Sequence, residues 1–104
     1  FEVALVLWLK RQGYNSRTTQ YSKDGGIDLE GIDPDGSPVI IQAKRYKDKV
    51  GVAVVREMMG VRQTRSDNPR AIIYSLRGYT REATRLALEH GIELRDIRAD
   101  LLKL

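Results

Sequence analysis

The chain contains no cysteine. That absence excludes a disulfide framework, a thiolate metal site and a cysteine nucleophile. Histidine occurs once, as His90. A zinc site built on paired histidines lacks its second member, and nothing supports a Ser-His-Asp array around a single imidazole. His90 precedes Gly91 at a predicted helix end, where contact with the helix dipole is its expected role. The longest apolar run, Val3 to Leu9, is far too short to span a membrane, and no signal peptide is visible. Gly25-Gly26 reads as a turn and belongs to neither a phosphate-binding loop nor a dinucleotide fingerprint. Repeats, low-complexity tracts, helix-turn-helix patterns and zinc fingers are also missing.

What is present fits one domain. The chain has 104 residues, enough for a real core but not for a catalytic module plus an elaborate recognition domain. Eighteen Lys and Arg face fourteen Asp and Glu, a net charge of +4 that favours a polyanionic partner. The lack of cysteine suits a reducing cytoplasm, which is the expected location. Phe1 opens in the middle of an apolar helical pattern, so residues 1–104 are expected to be a fragment of a longer protein with a further domain elsewhere.

Periodicity and turn residues give the element order. Phe1 to Gln12 reads as a helix stopped by Gly13, apolar nearly all round and so expected to be buried on more than one side. Asn15 to Ser22 reads as a strand, and Lys23 to Gly26 as a turn. Ile27 to Ile32 and Pro38 to Tyr46 form a hairpin around Asp33-Pro34-Asp35-Gly36. Val52 to Arg65 is helical, with Val52, Val55 and Met58 at helical spacing. Ala71 to Leu76 is a strand, Thr80 caps a helix to His90, Ile92 to Ile97 is a last strand, and Ala99 to Leu104 a short final helix. Strands in a meander, then alternating with helices, predict an α/β sandwich with a mixed sheet, in the order α-β-β-β-α-β-α-β.

One constellation stands out. Val39, Ile40 and Ile41 promise a buried strand, yet Gln42 and Lys44 follow on it. A buried lysine is costly unless paired. Strand alternation puts Gln42 and Lys44 on one face and Ala43 on the other. Pairing through the turn brings Asp28 beside them. A carboxylate, an amide and an ammonium converging among apolar residues make a compact arrangement for holding a divalent metal against a phosphate. Alone, Lys44 also reads as a strand end, and Asp28 as a residue binding turn amides.

Further matching segments surround this constellation. They are Phe1-Glu2, Gly13-Tyr14, Asp24-Gly25-Gly26-Ile27-Asp28, Gln42-Ala43-Lys44-Arg45-Tyr46, Val55-Arg56-Glu57 with Gly60, Thr80 with Ala83, and Ile92-x-Leu94-x-Asp96. Together they resemble the PD-(D/E)xK nuclease superfamily, and within it the Mrr-like restriction endonucleases. The resemblance covers nearly the whole chain. It implies a restriction-endonuclease-like three-layer α/β/α core and a DNA endonuclease that uses Mg²⁺, with Mn²⁺ as substitute. It implies that Asp28 is the metal-binding aspartate and Lys44 the motif lysine, with Gln42 standing where the superfamily more often has Asp or Glu. Glu2 resembles a first-helix glutamate found in some branches, including archaeal Holliday-junction resolvases.

The residue chemistry agrees with that expectation. Mg²⁺ prefers carboxylate, carbonyl and water ligands, which Asp28, the Gln42 amide oxygen and the Ala43 main-chain carbonyl would supply. Glu2 has two readings: a partner for metal or Lys44, or first-turn stabilisation by the helix dipole. Asp24 and Glu30 are reserve ligands, each read first as structural. Arg45, Tyr46, Lys47, Lys49 and Arg56 make a candidate basic surface for DNA phosphates. Gln63 to Arg65 and Arg70 read as solvated charge at a helix end. One site cuts one strand, so double-strand cleavage calls for a homodimer or two successive events. The rival readings are a junction-resolvase-like nuclease, a non-catalytic DNA-binding module on the same fold, and a structural domain whose polar trio is only a salt bridge.

Overall fold

The computed structural model describes residues 2–21, 26–45 and 47–101, with the side chains of residues 2, 21, 100 and 101 outside that description. Helix α1 (Glu2–Arg11) leads into strands β1 (Asn15–Tyr21), β2 (Ile27–Ile32) and β3 (Pro38–Lys44). Helix α2 (Val52–Gln63), strand β4 (Arg70–Ser75), helix α3 (Arg81–Glu89), strand β5 (Glu93–Asp96) and helix α4 (Ile97–Leu101) follow. The five strands form one sheet in chain order. β1, β2 and β3 pair antiparallel, whereas β3, β4 and β5 pair parallel. The mixed α/β sheet and the predicted element order are therefore present.

Layering follows from which side chains each strand face carries. Val39, Ile41 and Ala43 of β3 pack with Leu5 and Leu9 of α1, Tyr14 and Ile97. Ile40 of β3 and Ile73 of β4 pack instead with Val54, Val55 and Met58 of α2 and Ala83 and Ala87 of α3. The β3-α2-β4 and β4-α3-β5 crossovers share one hand, which puts both helices on one face. The result is a three-layer α/β/α domain with β3 at its centre, buried along nearly its whole length. An apolar run such as Val39-Ile40-Ile41 is the mark of a strand covered on both faces.

The expectation that α1 would be buried on more than one side is overturned. Leu5, Trp8 and Leu9 are buried, but Val3 is 70% exposed and Leu7 51%. One helix of an outer layer offers only one stripe to the sheet, and Val3 and Leu7, four residues apart, fall on the outward stripe.

Several ends shift by a residue or two, each for a local reason. β3 stops at Lys44 rather than Tyr46; Tyr46 lies outside the described residues. α2 stops at Gln63 because Thr64 caps it and Arg65 turns back to Glu30 and Asp67. α4 starts at Ile97 rather than Ala99, since the Asp96 carboxylate accepts the Arg98 and Ala99 N–H groups. That cap also ends β5 before Ile97. In the hairpin turn, Asp33 Oδ1 accepts the N–H groups of Asp35 and Ser37, both at 2.9 Å, and Gly36 takes φ +86°. Gly31 meets β1 so closely that a Cβ there would lie 2.0 Å from the Asn15 carbonyl oxygen, so no other residue fits that backbone.

Candidate active site

Asp28 and Gln42 are register partners across β2 and β3. Alternation turns Ile27 and Leu29 toward α1, and therefore turns Asp28 toward the layer of α2 and α3. Gln42 faces the same way, opposite to Ile41 and Ala43, and Lys44 follows two residues on. Among the described residues four polar or charged side chains are buried, and two of them are Gln42, 6% exposed, and Lys44, 7% exposed. Two such groups side by side on a core strand are not the exposed strand end that a bland reading of Lys44 required.

Gln42 Nε2 donates to Asp28 Oδ1 at 3.2 Å and to Glu57 Oε1 at 3.3 Å. Two carboxylates thus fix which end of the amide points inward. Gln42 Oε1 is left buried with no hydrogen-bond partner among the described residues. Leaving such an acceptor unsatisfied costs about 1–3 kcal/mol. Asp28, Gln42 and Glu57 line a cleft with Thr19, Gln20 and Arg65. A register shift between Thr18 and Gln20 sets Gln20 opposite Asp28, and the Thr19 hydroxyl donates to the Asp28 main-chain oxygen at 3.3 Å. Such bulges re-aim side chains beside functional sites.

Glu57 was not among the site residues expected from the sequence. It lies one helix away from the D…QxK segment, and no local pattern links it to Gln42. Its segment, Val55-Arg56-Glu57, is among those that carry the resemblance, and a second usable signal is its place in α2. Val54, Val55 and Met58 point into the core, which leaves Glu57 at the border of that stripe, facing the strand edge.

Other expected residues are placed differently. Glu30 lines the same cleft, but its carboxylate is taken by Arg17 at 2.7 Å and Arg65 at 3.2 Å. The Arg17 hydrogen bond, helped by Arg65, holds it below the usual carboxylate range. Arg65 and Arg70 are not the solvated charges expected from sequence. Arg65 also pairs with Asp67 at 2.7 Å, and Arg70 bridges Asp33 and Glu93 at 2.9 and 2.8 Å. Arg45, Lys47 and Lys49 are exposed on the connection between β3 and α2. Arg56 is exposed but lines a separate groove between α2 and α3, with Glu82, Arg85 and Glu89. Ala43 sits in the ladder between Ile27 and Tyr74. Glu2 is in the first turn of α1, on the layer opposite Gln42, and its side chain lies outside the described part; Asp24 and Tyr46 lie outside it altogether. The Thr80 hydroxyl accepts the Ala83 N–H, as the capping pattern predicted, and His90 caps the end of α3 through its backbone.

The cleft suits a hard divalent cation. Its donors are oxygens: two carboxylates and an amide oxygen that has no protein partner. Among the described residues no three His, Cys, Asp or Glu side chains gather as a metal-binding group. One or two carboxylates, completed by water and phosphate oxygens, is the set Mg²⁺ ordinarily accepts. No described helix is long and apolar enough to cross a membrane.

Comparison with known proteins gives the same answer at the level of the fold. Residues 1–104 match the Mrr catalytic family, described as restriction endonuclease. No curated protein matches the sequence. Among solved structures, EndoMS in its apo form has a TM-score of 0.66 and 20% identity over 92% of this chain and 44% of its own. A repair endonuclease from Pyrococcus abyssi has a TM-score of 0.65 and 21% identity over 92% of this chain and 45% of its own. An EndoMS–dsDNA complex has a TM-score of 0.58 and 22% identity over 92% of this chain and 43% of its own. The chain thus spans less than half the length of these structures, which share its fold. With the family matched from end to end, the chain belongs to the Mrr-type restriction endonucleases, a family of DNA endonucleases.

Proposed function

We propose that this domain is a Mg²⁺-dependent restriction-type endonuclease that hydrolyses DNA phosphodiester bonds at Asp28, Gln42 and Lys44. The observation that carries the reading is the register pairing of Asp28 with a buried Gln42, with a buried Lys44 on the same strand face. Hydrolysis bonds a water oxygen to phosphorus and breaks the bond to one sugar oxygen, which leaves with a proton. Mg²⁺ held there, or Mn²⁺ in its place, would offset the charge that builds on the phosphate oxygens.

The chain's own groups do the remaining work. Asp28 holds the cation side of the cleft with a fixed negative charge. Gln42 contacts that carboxylate through Nε2 and, with its amide turned over, would offer Oε1 as a neutral ligand. The Ala43 main-chain carbonyl and Glu2 are assigned as further oxygen donors. The Lys44 ammonium donates to a phosphate oxygen and orients the attacking water, and its burial raises the strength of that contact. Arg45, Tyr46, Lys47, Lys49 and Arg56 are assigned to the DNA backbone, which fixes position but carries no base information.

Duplex DNA as substrate is supported by the family and by the EndoMS–dsDNA complex among the solved neighbours. We assign double-strand cleavage to a homodimer, target choice to a further domain of the full-length protein, and the place of action to the cytoplasm. A second reading, cleavage selective for branched DNA, follows from the resemblance of Glu2 to the first-helix glutamate of junction resolvases. Incubating supercoiled plasmid and a four-way junction with the protein, in Mg²⁺ and in excess chelator, tests both. Nicking or linearisation of plasmid in Mg²⁺ alone supports the restriction reading. Cleavage confined to the junction selects the second. No cleavage of either, with duplex binding intact, leaves a DNA-binding module.

A further inference from the structure

Gln42 is the chemically awkward member of the site. A glutamate there would have given the metal a second charge from the strand, and the amide gives none. The geometry around Gln42 shows where that charge resides. Its single amide nitrogen donates to two carboxylates, Asp28 from β2 and Glu57 from α2, at nearly equal distances of 3.2 and 3.3 Å. The electropositive NH₂ lies between two anionic oxygens, as a small cation would.

We infer that Glu57 is the second carboxylate ligand of the metal site, delivered by helix α2 in place of the charge that Gln42 lacks. This rests on the metal-dependent reading above and deepens it. Two further observations support it. Among the described residues, Glu30, Asp33, Asp67 and Glu93 each pair with an arginine, whereas neither Asp28 nor Glu57 has an ion pair. Two carboxylates thus converge on one cleft, and among the described residues neither lies within ion-pair distance of a lysine or arginine, although Arg65 lines the same cleft. Independently, Gln42 Oε1 is an acceptor without a partner on a side chain more than nine-tenths buried, in the cleft that Asp28 and Glu57 line. Rotation of the amide by half a turn would direct Oε1 toward the space its NH₂ fills, so the same three residues offer three oxygens. Glu57 is itself exposed, and reaching into this cleft carries no large desolvation cost.

Binding of Mn²⁺ followed by isothermal calorimetry, without DNA, tests the inference apart from activity. The variants are Asp28→Asn, Glu57→Gln, and the exchange Gln42→Glu with Glu57→Gln, which returns the charge to the strand. Melting in chelator checks that each is folded. Glu57→Gln is expected to lose at least about tenfold in Mn²⁺ affinity, the loss that even an outer-shell partner of a ligand brings. The exchange variant is expected to recover most of it. Wild-type affinity in Glu57→Gln, or no recovery in the exchange, overturns the inference while a loss in Asp28→Asn leaves the metal site standing. Absence of Mn²⁺ binding in the wild type, or affinity indifferent to Asp28, overturns both.

Discussion

At the scale of single residues, two carboxylates placed in turns or strands have opposite fates. Asp33 is almost fully buried, and its oxygens accept two backbone N–H groups and the Arg70 guanidinium. The Arg70 hydrogen bond, with the Ser37 amide behind it, holds the Asp33 carboxyl below its usual range. A carboxyl with a lowered folded-state pKa contributes stability above the unfolded value of about 3.9, and that contribution is lost as pH falls through the folded value. The thermal midpoint is therefore expected to drop as pH falls below about 4. Asp33→Asn is expected to be less stable at pH 7 and to lose less on acidification, which scanning calorimetry from pH 7 to pH 3 would read. A variant with the wild-type acid profile contradicts this role. Asp28, by contrast, has among the described residues only the Gln42 amide on its carboxylate. Both aspartates adjoin turn residues in the sequence, Asp28 after Gly25-Gly26 and Asp33 at the head of Asp33-Pro34-Asp35-Gly36. What set them apart was strand alternation: Asp28 shares a face with Gln42, and the tie from Asp33 to Arg70 spans 37 residues with no local trace.

Elements were legible where the signal is local. Thr80 was readable as a cap because the preference of threonine for that place depends on the next three residues alone, and its hydroxyl does accept the Ala83 N–H at 3.1 Å. Thr80→Ala is expected to cost about 1 kcal/mol, read as a fall in thermal midpoint of roughly 4 °C. An unchanged midpoint would mean that α3 is held by packing of Ala83 and Ala87 alone. Ends decided by distant partners were not legible. α2 stops short of Arg65 because that residue answers Glu30 on β2, and the bulge at Thr18 and Gln20 appears only once β1 is paired with β2. The outward stripe of α1 is not legible for a related reason: composition reports how apolar a helix is, not how many neighbours its layer provides. Glu57 belongs to this class too, since only the packing of α2 on β3 brings it to Gln42.

At the scale of the molecule, the antiparallel hairpin of β2 and β3 meets a parallel half-sheet at β3. The central strand thereby carries the polar pair, with α2 beside it and the exposed Arg45, Lys47 and Lys49 on the connection just beyond. Duplex affinity is expected to fall linearly with the logarithm of salt concentration. Replacing Lys47 and Lys49 together with alanine should flatten that slope by about two, as fluorescence anisotropy at several salt concentrations would read. An unchanged slope would move the DNA to another face.

The central claim is that Asp28 and Lys44 perform hydrolysis on DNA bound by the rest of the domain. Single-turnover plasmid cleavage in Mg²⁺, at protein concentrations that saturate the DNA, tests it with Asp28→Asn and Lys44→Met, which keep side-chain volume and remove charge. The predicted result is Mg²⁺-dependent cleavage by the wild type, lost by about a hundredfold or more in either variant while duplex binding persists. Cleavage at the wild-type rate in either variant would contradict the account.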